Sequence, residues 1–312
     1  MIQVYPLVRG LASYVFPKKI FKRPGSGGTF SSEYCYSVWL RHLVQLKEAG
    51  LITSVDDIKS LAEIGPGDSL GIGLAAMFTG VDTYYAFDMI KHANIEMNIA
   101  INNQLLKLYQ HQNEIPNGTH QFRNTNPVLS KYEFPVSLLN FDQSYYQQRH
   151  LYIQNNIELV QSDNSNISYV VPWMGEKQDH VKDIDMIISQ AVMEHVDDIE
   201  FAYGEMYRWL KKGGIISHQI DFKAHEMTKE WDGHFYLKQG IWNVLAHGRK
   251  YPINRLPISA HIAAIQNAGF EIRNIIPVVN KSNFPDKFPQ VKGINFQKDD
   301  FVTSSALIQA VK

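Results

Sequence analysis

"SLAEIGPGDSLGIGLAA" (Ser60–Ala76) passes from a short apolar run through a glycine-rich turn into a second apolar run with helical spacing. Strand, tight turn and helix in that order form the opening unit of an α/β sheet, so this stretch decides the fold. Gly65 and Gly67 let the backbone bend sharply and approach a ligand closely, and the helix that follows brings unpaired N–H donors to the same place. A phosphate-binding loop would close its glycine run with Lys followed by Ser or Thr, but Ser69 and Leu70 stand there. A dinucleotide fingerprint needs a third glycine, which Gly71 or Gly73 offers at the wrong spacing.

Outward from this turn, strand-like and helix-like segments alternate, the pattern of a mostly parallel sheet with helices on both faces. Strands are expected at 60–64, 83–87, 167–171, 184–189, 214–220, 271–279 and 304–311. The interval from about 92 to 166 is too long for one crossover and must hold an insertion able to cap a pocket. A second insertion, about 223–257, is rich in aromatic residues, among them Trp231, His234, Phe235, Tyr236, Trp242 and Tyr251. Residues 1–55 read as an N-terminal helical segment. "FKRPGSGGTFSSE" (21–33) is a loop, and a helix begins near Ser32, stops at Gly50 and is expected to lid the main domain, 56–312.

Glu63 precedes the glycines, and "TYYAFDMI" (83–90) delivers Asp88 at the end of the next strand, where a carboxylate can grip ribose hydroxyls. An acid before G-x-G-x-G, with a second acid after the following strand, resembles the class I S-adenosylmethionine-dependent methyltransferases; Ser69 takes the place of the last glycine. The resemblance continues through "DIDMIISQAVMEHVDDIEFAYGEMYRWLKKGGIISHQIDF" (183–222), with its Glu194-His195-Val196 triplet and "LKKGG" turn. It extends through "PISAHIAAIQNAGFEIRNIIPVV" (257–279) and "TSSALIQAV" (303–311). It implies a seven-stranded doubly wound α/β sheet in the order 3-2-1-4-5-7-6 with strand 7 antiparallel, and S-adenosylmethionine as methyl donor. On it, Glu63, Gly65, Pro66, Gly67, Asp68, Ser69, Asp88 and Gln190 form the cofactor site. The acid that relatives often carry after the third strand is replaced here by "YVVPWMGE" (169–176), where Trp173 either flanks the adenine or belongs to the core.

For a hydroxyl acceptor, a general base within hydrogen-bond reach helps remove the proton. The candidates follow the fourth and fifth strands: Glu194 and His195 on one side, and His218, Asp221 and His225 on the other. His218 is read as the base or as a structural histidine; Asp221, which points the opposite way along the strand, is read as orienting a histidine or binding acceptor hydroxyls. Glu194 and His195 are pocket-lining candidates, equally readable as the first turn of a helix. His218, Asp221, His225 and His234 could together hold a divalent ion, but their spacing is unspecific, and no metal is expected.

Over 312 residues, 45% are hydrophobic and 20% charged, ordinary values for a globular enzyme. With 30 Lys+Arg against 31 Asp+Glu there is no basic field to collect nucleic acid. The single cysteine, Cys35, rules out an internal disulfide framework and fits a reducing cytoplasm. No stretch is apolar enough to span a bilayer. "LVRGLASYVFPKKIFKR" (7–23) either packs as a helix on the body or makes a peripheral contact with an anionic membrane through Lys18, Lys19, Lys22 and Arg23. Aromatic residues mixed with Asn, Asp, Arg and His in "EWDGHFYLKQGIWN" (230–243) and "GRKYPINRLP" (248–257) suit a sugar, so the expected reaction is O-methylation of a sugar, glycan or glycolipid precursor. A link to polysaccharide biosynthesis comes only from the resemblance. Two other classes stay open at this point: a nicotinamide-dependent oxidoreductase using the same turn, and a non-catalytic cofactor-binding module.

Overall fold

The computed structural model describes residues 2–15, 28–117, 125–160, 162, 164–174, 178–249, 251–282, 284 and 288–312. Its strands are β1 (Ser60–Ile64), β2 (Thr83–Phe87), β3 (Ile167–Val170), β4 (Ile184–Gln190), β5 (Leu210–Asp221), β6 (Glu271–Val279) and β7 (Thr303–Val311). They form one seven-stranded sheet in the order β3-β2-β1-β4-β5-β7-β6. The first five strands are mutually parallel, and β7 runs antiparallel to both β5 and β6. The expected architecture is therefore the observed one.

β1, β4 and β7 are buried almost throughout because helices cover both faces of the sheet, whereas β6, at an edge, alternates exposed and half-buried residues. β5 begins earlier than the sequence suggests. Ile184 pairs with Leu210 and Met186 with Ile215, so Lys211–Gly214 bulge out where a turn between helix and strand was expected.

The helices are α1 (Val4–Val15), α2 (Ser32–Glu48), α3 (Gly71–Met77), α4 (Ile95–Gln110), α5 (Gln143–Glu158), α6 (Ile199–Trp209), α7 (Gln239–Ala246) and α8 (Ile258–Asn267). One sheet face packs Leu61, Tyr84, Met186 and Ile188 with Trp39, Leu43, Leu74, Leu105 and Ile153 of α2 to α5. The other packs Ile64, Phe87, Ile187 and Ile216 with Tyr203, Trp209 and Ile265 of α6 and α8. Contrary to its expected role as a lid, α2 is a wall of this core, with Tyr36, Val38, Trp39, Leu40 and even Arg41 buried. The Arg41 guanidinium donates to the carbonyls of Pro116, Thr125 and Pro127, which ties the first insertion to α2. α1 packs against α7 and leaves Val4, Tyr5, Val8, Leu11 and Tyr14 exposed. The basic residues 18, 19, 22 and 23 lie outside the described residues.

Gly73 explains how α3 comes so close to the sheet. A Cβ there would lie 2.0 Å from the Tyr84 ring, and Tyr84 cannot retreat because its hydroxyl donates to buried Glu63 Oε2 at 2.5 Å. Gly73→Ala is therefore expected to cost about 3 kcal/mol of folding stability in urea unfolding. Gly204 of α6 has nothing within 4 Å of its would-be Cβ, so Gly204→Ala should instead gain about 0.5–1 kcal/mol from helix propensity. Equal effects of the two changes would contradict this packing.

Candidate active site

The turn after β1 is pinned to the sheet by Gly65 N–H, which donates to Phe87 O at 2.8 Å. Gly65 and Gly67 have φ of +72° and +75°, a region L side chains rarely enter. A Cβ on Gly65 would also lie 2.5 Å from Val192 Cγ2 across the gap, so the bare backbone is what keeps the gap open. This gap is a cavity of about 130 Å³ lined by Gly65, Pro66, Gly67, Asp88, Gln190 and His195, among others. Val192 and Ala191 form its far wall, with Gly28, Thr29, Tyr34, His92 and Tyr251 around it.

Asp88 is well held. Its Oδ2 accepts from Gly67 N–H at 3.3 Å, and its Oδ1 from Met89 N–H at 2.7 Å and Ile90 N–H at 3.3 Å. Burial raises its pKa, with those three amides opposing. Glu63 does not reach the cavity. It lies beneath the turn, bonded by Tyr84, and burial, reinforced by the Asp88 charge, pushes it up to about 8.

Three amides of the turn that leads into α3 are already taken, where free donors were expected. Asp68 N–H donates to Thr29 Oγ1 at 2.9 Å, Leu70 N–H to Asn98 Oδ1 at 3.0 Å and Gly71 N–H to Ser69 Oγ at 3.0 Å, while the Ser69 hydroxyl donates to Thr29 O. Such a turn offers little to a phosphate, but it suits an adenosyl cofactor that carries none. Ser69 and Asp68 therefore position Thr29 and do not line the cavity. Trp173 also falls outside it; the indole packs between Phe87 and Trp209, at 6.2 and 5.9 Å between ring centroids, as part of the core. Gln190 lines the cavity, and its Nε2 donates to Asn126 O at 3.0 Å.

At the end of β4 a short helical turn, Met193–His195, carries the chemistry-bearing pair. His195 faces the cavity, and its Nδ1 lies 3.2 Å from Pro252 O. Because a carbonyl can only accept, Nδ1 carries the hydrogen, and the Nε2 lone pair remains for chemistry. Burial, then the neighbouring His225, pushes His195 down to about 4. Glu194 is 2% exposed, and neither carboxylate oxygen has a hydrogen bond of ordinary geometry among the described residues, the backbone amides of Glu194 and Asp221 being the donors that approach it. Burial and the Asp221 charge raise its pKa well above the usual range. His225 Nε2 lies 4.0 Å from Glu194 Oε1 and 3.6 Å from Asp221 Oδ2, and its ring is 5.2 Å from that of His195. Asp221 is held down to about 2: burial works against this, but the His225 contact and the Lys223 charge prevail.

Glu194, His195, Asp221 and His225 thus come together, and His218 does not join them. It is fully buried in β5, its Nδ1 is 2.8 Å from Ser189 Oγ, and its ring packs against Tyr203, 5.8 Å away. Burial, with His42 and His261 nearby, pushes it down to about 3, and it lines no part of the cavity. Alternation along β5 turns it into the α6/α8 layer. His234 is likewise buried, its ring tilted against that of Phe235, 4.0 Å away.

Sequence reasoning missed Thr29, Tyr34 and His92. Thr29 closes the site from the end of a Gly/Ser-rich loop distant in sequence, and Tyr34 from the first turn of α2. His92 Nε2 lies 2.6 Å from Tyr251 OH, so the two insertions meet at the cavity.

The profile of the family described as "Methyltransferase domain" matches residues 144–217. No curated protein matches the sequence. Among solved structures, a methyltransferase from Methanosarcina mazei is similar at 11% identity and TM-score 0.42, over 84% of this chain and 95% of that one. One from Mesorhizobium loti is similar at 11% identity and TM-score 0.39, over 84% and 94%. The phosphoethanolamine N-methyltransferase 2 of Haemonchus contortus, in complex with S-adenosyl-L-methionine, is similar at 13% identity and TM-score 0.40, over 88% of this chain and 52% of that one. These likenesses are too loose to add to the strand order and the turn described above.

Proposed function

We propose that this protein is an S-adenosylmethionine-dependent methyltransferase and that it methylates a hydroxyl of a small polyhydroxylated acceptor, a sugar or glycan precursor. The supporting observation is the position of His195, which faces the cofactor cavity on one side and the Glu194–Asp221–His225 cluster on the other. The residues fit the cofactor: a bare peptide bend at Gly65–Gly67, a carboxylate at Asp88 for ribose hydroxyls, and a helix start with its amides already taken. When bound, S-adenosylmethionine supplies an electrophilic methyl group on a sulfonium.

The chain's own task is then positioning, water exclusion and handling one proton. His195 Nε2 is placed to take the acceptor's proton, with Pro252 O fixing the tautomer and Asp221 steadying His225. The second insertion supplies Tyr251, whose contact with His92 from the first insertion covers the cofactor. On this reading 1–55 is an N-terminal segment that completes the pocket through Thr29 and Tyr34, and 56–312 is the catalytic domain. The exposed apolar face of α1 supports a lipid-linked acceptor reached at an anionic membrane surface.

The experiment is transfer of labelled methyl from S-adenosylmethionine into fractionated cell material. Alkali-stable label in glycans, glycolipids or free sugars is expected. Label confined to protein, nucleic acid or amines would overturn the acceptor class, and its appearance in the lipid or the aqueous fraction decides whether the acceptor is lipid-linked.

A further inference from the structure

We propose that Glu194, His195 and His225 bind a divalent transition-metal ion of the Zn2+ or Mn2+ type beside the methyl-transfer site. One ligand atom from each of the three residues lies within 4.8 Å of the others. Donors bound to one such ion at about 2.1 Å stand about 3.4 Å apart in a tetrahedron, so a modest contraction completes the set. Two imidazoles and a carboxylate are the donors such ions prefer.

Glu194 supplies the independent indication. It is 2% exposed, faces His225, and has no side-chain hydrogen-bond donor among the described residues; only the backbone amides of Glu194 and Asp221 approach it, and neither makes a hydrogen bond of ordinary geometry. A buried carboxylate so weakly bonded is costly, and a cation between it and two imidazoles removes that cost. His195 already has the outer bond of a ligating histidine, from Nδ1 to Pro252 O, which leaves Nε2 for the ion; with Nε2 so engaged, the acceptor's proton passes to the Asp221 carboxylate beside His225 instead of to His195. His225 and Glu226 are held at φ of +44° and +64°, a strained path that delivers the His225 ring to the cluster. Asp221 Oδ2, 3.6 Å from His225 Nε2, is also paired with Lys223 Nζ at 3.1 Å, so it sits at the border of the site. Three ligands from the chain leave positions open, as in catalytic sites. These positions suit an acceptor with two adjacent oxygens, a vicinal diol, which deepens the O-methylation reading and rests on it; binding of the ion itself does not. The ligand set differs from the one the sequence offered because His218 and His234 are enclosed elsewhere.

The test is titration of the full chain, stripped with chelator, with Co2+ as a visible-absorption probe. One equivalent is expected to bind with d–d bands and to be displaced by Zn2+. Glu194→Gln and His225→Gln should each weaken binding at least about 10-fold, with S-adenosylhomocysteine affinity held within about 2-fold because neither residue lines the cofactor cavity. His225 is 29% exposed in its side chain, so its variant carries the test if the buried Glu194 variant fails to fold. Absence of stoichiometric Co2+ uptake, or uptake that the His225 variant leaves unchanged, overturns the site. Full label transfer to a hydroxyl acceptor by metal-stripped enzyme overturns the ion's part in catalysis and leaves the acceptor reading standing.

Discussion

Asp88→Ala is expected to weaken S-adenosylhomocysteine binding about 100-fold, or about 2.7 kcal/mol, in calorimetric titration. Two ribose hydroxyls donating to one carboxylate account for this, since a hydrogen bond to a charged group contributes about 1.5–3 kcal/mol. Part of the loss is indirect: Asp88 also receives the Gly67, Met89 and Ile90 amides, so the alanine variant loosens the bend it faces. Asp88→Asn separates the two effects. It keeps an acceptor for the amides but removes the charge, and should still lose about 10-fold in affinity. Unchanged affinity in both variants would remove Asp88 from the cofactor site.

His195→Gln is expected to lower kcat about 1,000-fold, within the range for a positioned acid–base group, while S-adenosylhomocysteine affinity changes less than about 5-fold. The split follows from geometry: the imidazole stands at the edge of the cavity, with its ring 5.2 Å from that of His225. His218→Gln is the contrast. That ring is enclosed between β4 and α6 with Nδ1 on Ser189, so its replacement should lower the melting temperature and leave turnover per folded molecule close to wild type. If His218→Gln abolished turnover and His195→Gln did not, the two roles would be reversed.

What could be read in the sequence follows physical range. The strands of the sheet were legible because burial concentrates β-branched and other apolar residues in segments such as Ile184–Ile188 and Ala306–Ile308, and Gly65 and Gly67 were legible because only glycine tolerates that backbone path. The position of Asp88 beside the turn was legible from its place at a strand end, and it lines the cavity there. His218 was misjudged because alternation along β5 says which residues share a face but not which face holds the cavity. Trp173 was ambiguous for a related reason: an indole beside a cofactor and an indole against Phe87 and Trp209 look alike in sequence. The capping of Asp68 by Thr29 and of Leu70 by Asn98 spans 39 and 28 residues, and nothing local announces such bonds. The joining of Glu194 to His225 likewise depends on how the 223–257 segment folds back over the end of β4.

The most direct measurement is a crystal structure of the full chain with S-adenosylhomocysteine. The adenosyl group should lie against Gly65–Gly67, with the ribose hydroxyls within about 3 Å of Asp88 and the homocysteine sulfur directed toward His195. Ligand bound elsewhere, or a ribose that makes no contact with Asp88, would contradict the account.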